Sequence, residues 1–174
     1  MSGGPGRIER AISAAFAANP SMTFTVDDLA AIAYPGLDRI EKKHRVAVAR
    51  AARKLAPSAW WGWRWMEQPG HRAVYFNLLD HRSYVIGRMR TSYNLFNFSH
   101  AEISQAIDDP NIDRSGAERW RKEAQPGSAY WTHVEINRTA HAGDHERANK
   151  LRDELNASIN MRMTALRPRI VAIG

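Results

Sequence analysis

The chain of 174 residues contains no cysteine, which excludes disulfide bonds, a thiol nucleophile and a thiolate metal site. It also lacks any apolar run near the ~18 residues needed to cross a bilayer. The opening MSGGPGRIER has no apolar core of the signal-peptide type. Apolar residues nevertheless make up 44% of the chain, enough to bury a substantial core. We therefore expect a soluble, cytoplasmic protein without membrane contacts.

Acidic residues are scarce in one segment of the first half. Residues 39–54 hold seven Lys or Arg and a single Glu, so this segment carries most of the formal charge of +7. Surface helices that use charge only for solubility commonly mix both signs at i and i+4. Concentrated positive charge of this kind is typical of a nucleic-acid-binding surface, although a solvated helix face is the alternative.

Apolar spacing predicts three helices before residue 56. The first covers residues 7–18. The second begins after Thr25, with Asp28 completing a capping box, and buries Leu29, Ile32 and Ala33 before the Tyr34-Pro35-Gly36 turn. The third, over residues 38–55, has an apolar stripe that includes Val48 and is opposite its basic residues. His44 lies on that stripe and is interpreted as a packing residue.

Two strand-like runs follow, over residues 60–67 and 72–78, and the Pro-Gly between them predicts a hairpin. The first run contains Trp60, Trp61, Trp63 and Trp65. Alternation places the last three on one side, where packing against the helices is the favoured interpretation. A contact with the C-terminal half and base stacking remain as alternatives.

The order helix, short strand, helix, turn, basic helix and hairpin resembles the winged helix-turn-helix family of DNA-binding domains. The resemblance covers residues 7–79 and is carried by TVDDLAAIAYPG, LDRIEKKHRVAVARAARKL and WWGWRWMEQPGHRAVYFNLL. It implies a DNA-binding domain over residues 1–80 and a recognition helix in the major groove. The expected fold class is mainly α with a small β-hairpin.

The resemblance also implies roles for individual residues. We expect Lys42 and Arg45 to reach base edges, and Val46 or Ala49 to touch a thymine methyl group. Other cations of the helix would hold phosphates, and the wing would contact the minor groove or backbone. The full set of expected DNA-binding residues is Arg39, Lys42, Lys43, Arg45, Val46, Ala49, Arg50, Arg53, Arg64, His71 and Arg72.

Signs of catalysis are weak. The densest group of potential metal ligands is His133, Glu135, His141, Asp144, His145 and Glu146. His141 and His145 would share a helix face at i and i+4, but Gly143 and Asp144 predict a helix start between them. The chain has neither a nucleophile-elbow motif nor a phosphate-binding loop. We expect no catalytic residue, no metal site and no cofactor.

Residues 81–174 are expected to form a mainly helical C-terminal region. Helices are predicted over residues 81–94 and after capping boxes at Ser99 and Ser115, while residues 130–137 fit a strand or a helix equally. The strongest periodicity, over residues 144–166, predicts a long amphipathic helix. It could complete the monomer's core, but we favour a homodimer formed through this helix.

These patterns favour a sequence-specific double-stranded DNA-binding protein, a bacterial or phage-type transcriptional regulator. Two alternatives stay open. One is a nucleic-acid-processing or replication protein that uses the winged domain for delivery, and the other is a protein-interaction module.

Overall fold

The computed structural model describes residues 6–64, 73–92, 95 and 97–166, without the side chains of Trp63, Arg64 and Leu166. The first half contains three helices and three strands in mixed order. These are α1 (Arg7–Ala18), β1 (Thr23–Thr25), α2 (Val26–Ala33), α3 (Lys42–Leu55), β2 (Trp61–Arg64) and β3 (Val74–Asn77).

The three strands form one antiparallel sheet in the order β1-β3-β2. In the central strand, Tyr75 lies opposite Phe24 of β1 and Trp63 of β2. Strand β1 leads directly into α2, where Thr25 and Asp28 form the predicted capping box: the Thr25 side chain accepts from the Asp28 N–H, and the Asp28 carboxylate from the Thr25 N–H. The predicted capping box and hairpin pairing are both confirmed.

The second half is helical in all its described elements. They are α4 (His81–Ser92), α5 (His100–Asp108), α6 (Ala117–Glu123), α7 (Ala129–His141) and α8 (His145–Leu166). The protein is thus mainly helical, with a small antiparallel sheet. No helix among the described residues is both long and apolar enough to cross a membrane.

One core lies between α1, α2, α3 and the sheet. Ile12, Leu29 and Val48 supply one fully buried side chain from each helix, and Tyr75 is the residue that β3 adds to this core. Trp61 stacks on Phe16 with ring centroids 3.9 Å apart and planes 18° apart. Packing against the helices is therefore the role of Trp61, as expected.

Helix α4 connects the first half of the chain to the second. It contacts all three strands as well as α5 and α7. Gly87 permits the approach to β3, since a Cβ atom there would come within 2.2 Å of the Phe76 ring. Val85, Ile86 and Met89 enter a second core with α5 and α6. Because neighbours surround it, α4 also buries Ser83 and Arg90.

Several helix boundaries differ from the sequence predictions. Helix α3 begins at Lys42 instead of residue 38, because Glu41 is extended and its N–H donates to His44 Nδ1 at 3.2 Å. The Ser115 capping box is wrong: α6 follows Gly116, whose φ of 91° and closeness to the Trp120 ring favour glycine. The fourth helix is described from His81 to Ser92, and its predicted end at residues 93–94 lies outside the described residues.

Other expectations change in the packing. Ile32 is 40% exposed, so its assignment to the buried face of α2 is wrong. Residues 130–137 lie within helix α7, which resolves the choice between strand and helix. Trp60 faces the other half of the chain, with its ring 5.1 Å from that of His141. Trp65 lies outside the described residues.

Candidate nucleic-acid interface

Helix α3 has one buried face that fixes its position. Val48 and Ala52 are fully buried, and the helix packs against both α1 and α2. The Tyr75 hydroxyl donates to the Ala49 carbonyl at 3.4 Å and so connects the central strand to the same helix. These contacts leave the opposite side of α3 facing solvent.

The solvent side of α3 carries a narrow row of exposed residues. Lys42, Val46, Arg50 and Arg53 follow one another at intervals of four, four and three residues, which places them on one helix face. All four are exposed, and Val46 is 47% accessible. We call these four residues the outer stripe. It joins positive charge to one apolar side chain in the middle.

Other basic residues of segment 39–54 are paired with carboxylates of the same chain at its surface. Lys43 Nζ lies 2.9 Å from Glu41, Lys54 Nζ lies 2.7 Å from Glu9 of α1, and Arg45 Nε lies 2.5 Å from Asp27 of α2. The Lys43 ammonium lowers the pKa of Glu41 by hydrogen bonding and charge. The excess charge is therefore partly neutralised by neighbouring elements.

The ion pair with Asp27 gives Arg45 a structural role that the sequence did not predict. Arg45 and Val46 point about 100° apart around the helix, so Arg45 leans toward α2 while Val46 faces outward. The pairing with Asp27 joins the two helices across the turn between them. Arg45 thus helps to fix the angle between α2 and α3, and its side chain remains 47% exposed, so its expected base contact stays a prediction.

Three cations remain available for an external anion. Within the described ranges, no carboxylate pairs with Arg39, Lys42 or Arg50. Arg39 lies in the segment before α3, and Lys42 is the first helical residue. Arg53 and Ala49 lie further along the same helix, and Arg53 has a partner within the fold.

The wing residues are described only in part. The hairpin strands β2 and β3 are present, and Arg64 lies at the end of β2. Its side chain, and both His71 and Arg72, lie outside the described residues. Their expected contacts with DNA stay predictions.

The histidine group of the second half is divided between two helices. His141 ends α7 and His145 begins α8, with Gly143 at a φ of 88° between them. The predicted helix start between the two histidines is confirmed. In the part of the chain that the structure describes, no group of three His, Cys, Asp or Glu residues could hold a metal ion.

Sequence reasoning missed the most informative contact of this region. The sequence patterns give no partner for Asp27, yet it is the partner of Arg45, 18 residues away. An acidic residue in one helix and an unpaired Arg in the next helix could have suggested such a contact.

No protein-family model, curated protein or solved structure matches the chain.

Proposed function

We propose that residues 7–79 act as a winged helix-turn-helix domain that binds double-stranded DNA. The support is the order α1, β1, α2, α3, β2, β3, together with the antiparallel strand order β1-β3-β2. In this arrangement α2 is the supporting helix and α3 the recognition helix. The biological role that fits is a cytoplasmic transcriptional regulator of the bacterial or phage type.

The observation that carries the proposal is the outer stripe of α3. A helix of about 10–12 Å diameter fits the major groove, which is about 12 Å wide. The stripe presents Lys42 at the first turn, then Val46, then Arg50, and this is the part of a recognition helix that meets base edges. Among the described residues, no carboxylate pairs with Lys42 or Arg50 of this stripe, so a duplex can supply the negative charge.

Roles within the helix follow from its pairing pattern. Lys42 and Arg50 contact base edges or nearby phosphates, and Val46 or Ala49 contacts a thymine methyl group. Arg39, Lys43 and Arg53 hold phosphates. Arg45 positions α3 on α2 through Asp27. The wing residues Arg64, His71 and Arg72 contact the backbone or the minor groove, and no residue is assigned a catalytic role.

The experiment that tests this proposal is duplex binding followed by fluorescence anisotropy. The probes are a labelled duplex from the DNA flanking the protein's own gene and a scrambled duplex of equal composition. Tighter binding to the flanking duplex, kept as salt rises, supports a sequence-specific regulator. Equal binding of both duplexes would leave only a phosphate-binding role, and no binding at low salt would refute the proposal.

We also propose that the protein forms a homodimer through residues 144–166. Helix α8 packs on α7, but it has 22 residues against 13 and so extends beyond its neighbour by roughly 13 Å. The extending part exposes Ile159, Met161 and Met163 at 41%, 68% and 60%. Two such domains would read two half-sites. Light scattering coupled to gel filtration tests this, and a monomer at all concentrations would refute it.

A further inference from the structure

A cleft of 560 Å³ lies on the side of the sheet edge formed by β1. Strand β1, helix α2, the end of α4 and the beginning of α5 form its walls. Its lining includes Thr23, Asp28, Ile32, Arg90, Phe98 and His100. The volume falls within the range of about 300–1,000 Å³ that is usual for small-molecule sites.

Arg90 is the unusual residue of this cleft. It is only 3% exposed, although an arginine is rarely buried without a partner. One terminal nitrogen, Nη1, donates to Thr23 Oγ1 at 3.1 Å. Its Nε is buried and has no hydrogen-bond partner among the described residues. A buried guanidinium with an unused donor is costly unless an anion compensates it.

The two carboxylates in the cleft wall do not fill this role. Asp28 Oδ2 accepts hydrogen bonds from the backbone N–H and the hydroxyl of Thr25, at 2.7 and 2.8 Å. Asp27 is paired with Arg45. No ion pair within the described ranges includes Arg90, and burial lowers the pKa of its guanidinium, an effect that Asp28 opposes.

His100 also lines the cleft. Its Nδ1 accepts from the backbone N–H of Thr23 at 3.2 Å, so the ring proton of the neutral form is on Nε2. Burial, with Arg82 and Arg90 nearby, lowers the pKa of His100 to about 4. At neutral pH the positive charge in the cleft therefore comes from Arg90.

We propose that this cleft binds a small organic oxyanion, with a carboxylate or phosphate group on Arg90 and an apolar part against Phe98 and Ile32. The guanidinium geometry suits both kinds of oxyanion. The inference does not depend on the DNA-binding proposal. The cleft is connected to α3 by a single ion pair, because Asp27 lines the cleft and is paired with Arg45 of α3.

The test uses calorimetric titration of the full chain at pH 7 and constant ionic strength, with inorganic phosphate, acetate and benzoate as probes. We expect saturable binding of phosphate or benzoate, and weakening of about tenfold or more in Arg90→Met. Arg88→Met is the matched control, because Arg88 lies over the Tyr130 ring and outside the cleft. It should bind within about twofold of wild type.

The stability of the ligand-free variant provides a second readout. If Arg90 is kept for ligand binding, Arg90→Met should melt at the same temperature as the wild type or higher, because it removes an uncompensated buried charge. A clearly lower melting temperature, without any ligand, would mean that Arg90 is a structural residue. That result would overturn the proposal.

A variant at the rim tests the cleft without changing Arg90. Ile32 lines the cleft and is 40% exposed, so it tolerates substitution. Ile32→Glu should weaken anion binding by charge repulsion, whereas Ile32→Gln should weaken it less. Preference for phosphate would identify a phosphorylated ligand, and preference for benzoate an organic acid. No saturable binding of any probe, or equal binding by every variant, would overturn the inference.

Discussion

Arg45 and Asp27 join the basic helix to the helix before it, with Nε and Oδ1 2.5 Å apart. The neighbouring Asp28 has a different task, since its carboxylate accepts from the Thr25 N–H and closes a capping box. Asp27 therefore makes a tertiary contact between two helices, whereas Asp28 makes a local contact at the start of its own helix. The difference between them is measurable.

Asp28→Ala should lower the free energy of unfolding more than Asp27→Asn does. Asp28→Ala removes the two hydrogen bonds that Thr25 donates to the Asp28 carboxylate, each worth about 1 kcal/mol or more, whereas a partly exposed ion pair contributes about 0.2–1 kcal/mol. Urea unfolding of both variants gives the comparison. If Asp27→Asn proves more destabilising than Asp28→Ala, the ion pair is the main structural link and the capping contact is minor.

The two adjacent tryptophans should respond very differently to truncation. Trp61 is 8% exposed and stacks on Phe16, whereas Trp60 is half-buried and meets His141 at an edge. Trp61→Ala should cost about 3–5 kcal/mol and Trp60→Ala clearly less. Chemical denaturation measures both. Similar losses would contradict the placement of Trp61 in the core.

The contact between α4 and β3 should not accept even a methyl group. In Gly87→Ala the new Cβ would lie 2.2 Å from Phe76 Cγ, so the two elements must separate. We expect a loss of about 1–3 kcal/mol in the free energy of unfolding. Phe76→Ala removes Cγ and Cδ1, the two atoms nearest to the new methyl group, so it should cost less in the Gly87→Ala background than in the wild type. If the losses of the two single variants simply add in the double variant, the contact between residues 87 and 76 does not control the packing of α4 on β3.

Much of this fold could be predicted from local patterns. Periodicity located the helices, and the capping boxes at Thr25 and Ser99 marked two starts correctly. The start of α3 was missed because an extended Glu41 with a histidine three residues later is not a usual cap. Helix propensity alone could not exclude the four residues before it.

Burial was harder to predict because it depends on distant neighbours. Ile32 fits the apolar face of α2 by spacing, but no neighbouring element covers enough of that position to bury it. Arg90 is buried for the opposite reason, since α4 is surrounded by the sheet and by helices α5 and α7. Helical periodicity predicts that this side of α3 is exposed. The ion pair between Arg45 and Asp27 could not be predicted, because it depends on how α2 and α3 pack against each other.

Acid should destabilise the protein between about pH 6.5 and about pH 4. The folded-state pKa of His100 is lowered to about 4 by burial and by Arg82 and Arg90, with Asp80 opposing the shift. Because the unfolded chain then binds the proton more readily, stability decreases as the pH falls through this window, by at most about 3 kcal/mol.

The variant His100→Asn tests this pH dependence. Asparagine can still accept from the Thr23 N–H but does not titrate, so the slope of stability against pH should flatten. His145→Asn, at the exposed start of α8, is the control and should keep the wild-type slope. An unchanged slope in His100→Asn would contradict the burial of a neutral His100.

The central claim is that the outer stripe of α3 binds a duplex, and charge reversal within it is the most direct measurement. Lys42→Glu/Arg50→Glu is compared with Arg119→Glu/Lys122→Glu on α6, an exposed pair outside both α3 and the proposed dimer segment, which makes the same change in charge elsewhere. Anisotropy titrations run from about 50 to about 200 mM salt. Circular dichroism confirms that both variants are folded.

We predict that the α3 variant loses on the order of 100-fold in duplex affinity at the lower salt and shows a flatter salt dependence. The α6 variant should lose far less and keep the wild-type slope. Equal losses in the two variants would mean that only net charge matters, and unchanged binding by the α3 variant would contradict the claim outright.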